Sequence, residues 1–174
     1  MVWQLPIAWM VALDFVAWAA IHLGVAYAVT QVPVSLFRPG AWLYRARSWE
    51  AQGRRYEQWF RVNRWKKLLP DGAALFRRGF RKKRFVSKSP AYLRRFMLET
   101  CRGELVHWIV FAFAPVFFLW NPPHVGLVMI LYAALANLPF IIVQRYNRFR
   151  LLRLLGDTGW EPESRAAAIS NAQT

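Results

Sequence analysis

The chain has 174 residues, of which 56% are hydrophobic and 17% aromatic, ten of them Trp. That is too much apolar surface for the core of one small soluble domain, so a freely soluble globular protein is excluded and a membrane protein indicated. The formal charge of +15 is segregated: of 24 Lys and Arg, none lies in residues 1–37 or 103–144, nineteen fall between Arg38 and Arg102, and five follow Val143. The fold class expected is an all-α integral membrane protein with three transmembrane helices, an interfacial amphipathic helix and a basic cytoplasmic segment. The expected divisions are residues 1–36 (first transmembrane helix), 37–102 (basic interfacial segment), 103–155 (transmembrane hairpin with a polar motif) and 156–174 (flexible tail).

The first apolar segment, Leu5 to Val32, is long enough to cross a hydrocarbon layer about 30 Å thick with some tilt. It is not read as a cleaved signal peptide, because "MVWQLPIAWM" lacks a basic n-region. Asp14 and His22 lie within it. They are eight residues apart, roughly 12 Å along a helix, and so cannot pair with each other. An intramembrane carboxyl such as Asp14 is a functional candidate by default, with a structural role as the alternative.

From Trp42 the residues Trp42, Ala46, Trp49, Gly53, Tyr56 and Phe60 recur at steps of four and three, flanked by Arg45, Arg54, Arg55 and Arg61. The pattern predicts a helix lying along the inner membrane surface, with aromatic rings at headgroup level and arginines near lipid phosphates. "NRWKKLLPDG" (63–72) ends in a turn signal. "FRRGFRKKRF" (76–85) then packs six basic residues into ten and would attract acidic lipid or the phosphates of coenzyme A. Nucleic acid is not an expected partner, since no module that recognises it is present.

The second segment, Glu104 to Trp120, and the third, Val125 to Val143, are joined by "NPPH", which predicts a tight helical hairpin. Lys/Arg-rich flanks place residues 38–102 and the tail on the cytoplasmic side of a bacterial cytoplasmic membrane, with the N-terminus outside and any site facing inward. The single Cys101 excludes an intramolecular disulfide. At the mouth of the second span, Glu99, Gly103, Glu104 and His107 share an arc of about 140° on a helix. A carboxylate three residues from His107 is positioned to orient the imidazole and raise its basicity. In the third span Asn137 and Pro139 are followed by Gln144, Arg145, Tyr146, Asn147 and Arg148. The hairpin brings this cluster to the same membrane face as His107.

The blocks "NRWKKLLPDG", "RFMLETCRGELVHW", "LWNPP" and "NLPFIIVQRYNRFRL" together resemble the glycosyl-4,4'-diaponeurosporenoate acyltransferase family, over residues 40–155. The resemblance implies an enzyme that esterifies a sugar hydroxyl of a lipid-soluble glycoside, in carotenoid biosynthesis. It marks as motif positions Trp65, Lys66, Leu69, Pro70, Glu99, Arg102, Glu104, His107, Asn137, Pro139, Gln144, Arg145, Tyr146, Asn147 and Arg148. Gly103, Phe140 and Phe149 depart from the expected pattern and bear on the identity of the substrate.

Acyl transfer to an alcohol needs a base, for which His107 oriented by Glu104 or Glu99 is the candidate. Arg145, Arg148, Asn147 or Tyr146 are candidates to stabilise charge on the thioester oxygen. Lys66, Lys67 and Arg102 are candidates for the phosphates of an acyl-CoA or acyl-carrier-protein co-substrate. No bound cofactor and no metal are expected, and transfer is read as direct rather than through Cys101. The expected partners are membrane lipids, the glycosylated or lipid-linked acceptor and the thioester donor, and a homo-oligomer is compatible with so small a bundle. Two other classes compete. A non-catalytic scaffold or lipid-binding subunit accounts for the aromatic and basic strips, and a metal-dependent membrane hydrolase would use Glu99, Glu104, His107 and His22 as ligands.

Overall fold

The computed structural model describes residues 6–70, 87 and 89–156, all helix, turn or coil with no strand among them. The basic run 76–85 and the tail from residue 157 lie outside the described residues. Three helices are long and apolar enough to cross a membrane: α1 (Ile7–Gln31), α4 (Pro90–Ala112, continued by a 3-10 segment Ala114–Leu119) and α5 (Pro123–Gly156). Between α1 and α4 lie two short helices, α2 (Arg54–Phe60) and α3 (Val62–Trp65).

The antiparallel pair α4 and α5 forms the body of the molecule, and α1 packs mainly on α4. Helix α4 starts where the sequence offers a start signal: Pro90 at the first helical position follows Ser89, whose Oγ accepts the Tyr92 N–H at 3.3 Å. This start lies well upstream of Glu104, so the expected boundary at residue 102 falls inside one continuous helix. Helix α5 likewise runs past Val143 to Gly156, with Pro139 inside it. Its 34 residues correspond to about 51 Å, which is longer than an apolar layer of ~30 Å.

Between α4 and α5 the chain turns at Asn121 and Pro122, as the Pro-Pro signal predicts. The turn is close-packed: a Cβ on Gly126 would lie 2.4 Å from the Phe118 ring. Above it Trp18 stacks on Phe117 at 4.4 Å and joins a core with Val110, Ala114 and Ala133. The outward residues of α1, among them Ile7, Trp9, Phe15 and Val16, are exposed apolar side chains, suited to a hydrocarbon surround.

The surface helix expected from Trp42 to Phe60 is not continuous. Turns occupy residues 39–45 and a 3-10 segment runs Ser48–Gly53. Within it Ala51 and Gln52 adopt left-handed backbone with φ of 48° and 55°, and Gly53 follows at 88°. The physical reason is Glu50, which is wholly buried and bonded to α5, an inward position that a straight surface helix does not provide. Gly53 is required twice over, by its positive φ and because a Cβ there would lie 2.8 Å from Phe149. The aromatic stripe divides accordingly: Tyr56 is buried, while Trp42, Trp49 and Phe60 stay exposed, with Arg47 over the Trp42 ring; beside the stripe, Arg55 lies over the exposed Trp59 ring.

Asp14 has a structural partner set at the turn. It accepts from Trp120 Nε1 at 2.8 Å and from Asn121 Nδ2 at 2.7 Å, tying α1 to the end of the hairpin remote from the arginine-rich end of α5. Asp14→Ala would strand these two donors in an apolar setting, at a cost of about 1–3 kcal/mol. A lowered thermal unfolding midpoint of the detergent-purified chain is the expected result, and an unchanged midpoint would contradict the latch.

Candidate functional site

A buried charge network holds the arginine-rich half of the molecule together. Glu104 on α4 is fully buried and accepts from Arg145 Nη1 at 2.8 Å, from Arg148 Nη2, and from Trp108 Nε1 at 3.2 Å. Arg145 also donates from Nε and Nη2 to the two oxygens of Glu50, at 2.7 and 3.0 Å, and to the carbonyls of Leu43 and Arg45, both at 3.0 Å. All five guanidinium donors of Arg145 therefore have acceptors, none of them a small molecule. Glu50 also accepts from the Tyr56 hydroxyl and, at 2.5 Å, from the Arg47 N–H. Burial pushes the Glu50 carboxyl up, but the bonds from Arg145, Tyr56 and Arg47 outweigh it and hold the group below its ordinary value. Burial, then the bond to Glu50, pushes the Tyr56 phenol above its ordinary value, so that it stays a donor.

Five of the expected site residues have other contacts than those expected of them. Glu104, expected to orient His107, is engaged by two guanidinium groups and Trp108 instead. Arg145, expected to meet the thioester oxygen, has every donor committed to protein acceptors. Arg148 is buried with Nη1 on Cys101 Sγ at 3.0 Å, Nη2 on Glu104 and its guanidinium over the Tyr44 ring, which makes it part of the same framework. Glu99 lies eight residues before His107, about 12 Å along the helix, so it does not orient the imidazole. Its carboxylate faces Arg102 at 3.4 Å. Arg102, expected to bind donor phosphates, is buried, donates to the Val32 carbonyl at 3.0 Å and lies over Phe37, joining α4 to the end of α1.

His107 is held from the third span. Its Nδ1 is 3.0 Å from Oδ1 of Asn137, which is fully buried, and its ring stacks on Phe140 with centroids 4.5 Å apart and 15° between planes. Asn137 Nδ2 donates to the Ala133 carbonyl at 2.9 Å, so the amide oxygen is the atom that faces the imidazole. That oxygen can only accept, hence Nδ1 carries the hydrogen and, in the neutral ring, Nε2 carries the lone pair. Asn137 is thus the residue that sets the tautomer, and Phe140, a departure from the family pattern, is the ring against which the imidazole lies.

Trp65, Lys66 and Tyr146 come together on the opposite side of α5 from Asn137. Lys66 Nζ sits 4.7 Å above the Tyr146 ring, Asn63 Nδ2 donates to the Tyr146 hydroxyl at 2.8 Å, and Trp65 packs in the same cluster while its Nε1 donates to the Phe60 carbonyl. Asn63 was missed, although it opens the block that contains Trp65 and Lys66. Gln144 and Asn147 are half-buried on α5. Among the described residues, no three His, Cys, Asp or Glu side chains converge to hold a metal ion.

An all-helical chain with three membrane-length helices, a charge network buried between two of them and an oriented histidine beside it is a membrane-type protein with a polar site inside its bundle. A family model described as glycosyl-4,4'-diaponeurosporenoate acyltransferase matches residues 40–157, and the chain belongs to that family. Relatives named glycosyl-4,4'-diaponeurosporenoate acyltransferase from Staphylococcus aureus strains bovine RF122 / ET3-1 and MRSA252 are each 35% identical over 139 residues, covering 79% of this chain and 83% of theirs. The relative from strain USA300 is 34% identical over the same shares. No solved structure matches the chain.

The network makes two testable statements. Glu104→Gln removes a buried charge between two guanidinium groups and is expected to cost about 3–5 kcal/mol, read as loss of folded protein in denaturant titration. Because the folded-state value of Glu50 is depressed, its stabilisation is present above the unfolded value near 4.5 and is lost as pH falls through the lower, folded value. Glu50→Gln should therefore flatten the acid limb of a stability-against-pH curve below that point. An identical acid limb in the variant would refute the assignment.

Proposed function

We propose that this chain is a membrane-embedded O-acyltransferase that moves a fatty acyl group from a thioester donor to a hydroxyl of a glycosylated, lipid-soluble acceptor. The family name supports acyl transfer to a glycosylated carotenoid-type acceptor, and the three apolar helices support a membrane setting. The observation that carries the mechanism is the Asn137–His107 pair, which leaves the Nε2 lone pair as the base. Nε2 takes the proton of the acceptor hydroxyl as its oxygen attacks the thioester carbonyl carbon. The tetrahedral adduct collapses with cleavage of the C–S bond, the ester remains on the acceptor, and the imidazolium returns its proton to the leaving thiolate. Gln144 and Asn147, on α5 beyond Phe140, are the polar groups proposed to receive the carbonyl oxygen, since Arg145 and Arg148 are occupied. Phe140, flat against the imidazole, shields one face of the ring from water.

The Lys/Arg-rich flanks support an inward-facing site, with α1 beginning outside a bacterial cytoplasmic membrane. Lipid mass spectrometry of host membranes carrying the wild-type chain should reveal a glycolipid heavier by one acyl unit. His107→Ala, at matched expression, should lower its formation about 10²- to 10⁴-fold. Asn137→Ala, which frees the tautomer, should lower it less. Undiminished product with His107→Ala would overturn the mechanism.

A further inference from the structure

Two adjoining clefts open where the last third of α5 meets the 48–63 segment, with volumes of about 730 and 580 Å³, and both are lined by Tyr146 and Arg153. Arg54 and Glu57 line the larger one, Asn63 and Arg150 the smaller. Lys66 stands over the Tyr146 ring beside them. Against four cations there is one carboxylate, Glu57, and its Oε2 already accepts the Asn63 N–H at 3.1 Å. None of Arg54, Lys66, Arg150 and Arg153 is ion-paired with a described residue, in contrast to Arg145 and Arg148 one to two turns away. Burial, then the charge of Arg150, pushes the Lys66 ammonium below its ordinary value despite the opposing pull of Glu57, which marks cations in excess of the one carboxylate. Arg153 and Tyr146 line both clefts. Arg153 is held by the Gln52 carbonyl at 2.8 Å, and the Tyr146 hydroxyl, which accepts from Asn63, keeps its hydrogen for an acceptor.

We propose that this cleft binds the phosphate of a phosphopantetheine-bearing acyl thioester, with Arg150 and Arg153 as its principal ligands and Tyr146 and Arg54 beside them. The inference rests on the acyl-transfer reading above, for which it names the donor class. Its second support is distance. Arg150 follows Asn137 by 13 residues, about 20 Å along α5, and Phe140, Val143, Asn147 and Arg150 form one stripe at steps of three and four that leads from His107 to the cleft. An anionic head bound at Arg150 therefore needs a long flexible arm to present its carbonyl carbon at His107. A phosphopantetheine thioester has such an arm, whereas the acyl carbons of a phospholipid lie only a few bonds from its phosphate.

The full-length chain in nanodiscs of neutral phosphatidylcholine would be titrated with coenzyme A and with 4'-phosphopantetheine. The expected result is saturable binding to wild type and to His107→Ala, weakened at least tenfold in the double variant Arg150→Gln/Arg153→Gln. The charge-preserving Arg150→Lys/Arg153→Lys should recover part of it, and unfolding midpoints should confirm that all variants are folded. Binding unchanged in the Gln variant, or absent from folded wild type, would overturn the proposal. A Gln variant that loses only co-purifying acidic phospholipid would reassign the cleft to a headgroup and equally overturn it. Because these titrations need no turnover, they stand apart from the lipid assay: acyl transfer with an unaltered donor KM in the Gln variant would sink the cleft and leave the acyltransferase intact.

Discussion

Glu104 and Arg145, two unlike charges buried together inside a membrane-length helix pair, are the contact on which the rest of the architecture depends. Isolated, either would be expensive in so apolar a setting; together they form a neutral pair, and Glu50 and Arg148, themselves of opposite charge, take up its further donors and acceptors. This requirement draws in a third segment. Glu50 is neither on α4 nor on α5, so the polypeptide between the first and second spans must fold down onto them, and its kinked 3-10 segment is the backbone solution. Tyr56 and the Arg47 N–H then complete the acceptor capacity of Glu50. The contacts of the network are with protein groups, and they hold α4 and α5 in the register that sets His107 against Asn137 and Phe140.

What a sequence reveals here follows from range. Three apolar segments, the Pro-Pro turn and the segregation of charge are local patterns, and the helices stand where these patterns put them. Their lengths were less visible. Glu104 and Val143 mark where polarity changes, but polar residues continue a helix as readily as apolar ones, so α4 and α5 both extend further. The membership of the polar cluster was also legible, because intramembrane polar residues are few and each demands an explanation.

Pairing within that cluster was not. Glu104 and His107 are adjacent on the helix surface, which made them natural partners, yet a guanidinium 41 residues away outcompetes an imidazole for a buried carboxylate. Asn137 could be recognised as His107's partner only once the α4–α5 register was known, 30 residues apart in sequence. Glu50 was hidden for the same reason: its environment looked like a solvated surface strip, and its partner lies 95 residues on. The stripe from Trp42 to Phe60 was a true periodicity, overridden because burying one carboxylate outweighed helical continuity.

The Asp14 latch bears on how the bundle is assembled. Its carboxylate lies in the earliest helix of the chain, whereas its donors sit 106 and 107 residues later, in the turn of the hairpin. During synthesis α1 emerges long before Trp120 and Asn121 exist to meet it. The first helix therefore cannot take its final seat until the turn between α4 and α5 exists beside it, so the latch closes only on a hairpin that has already turned.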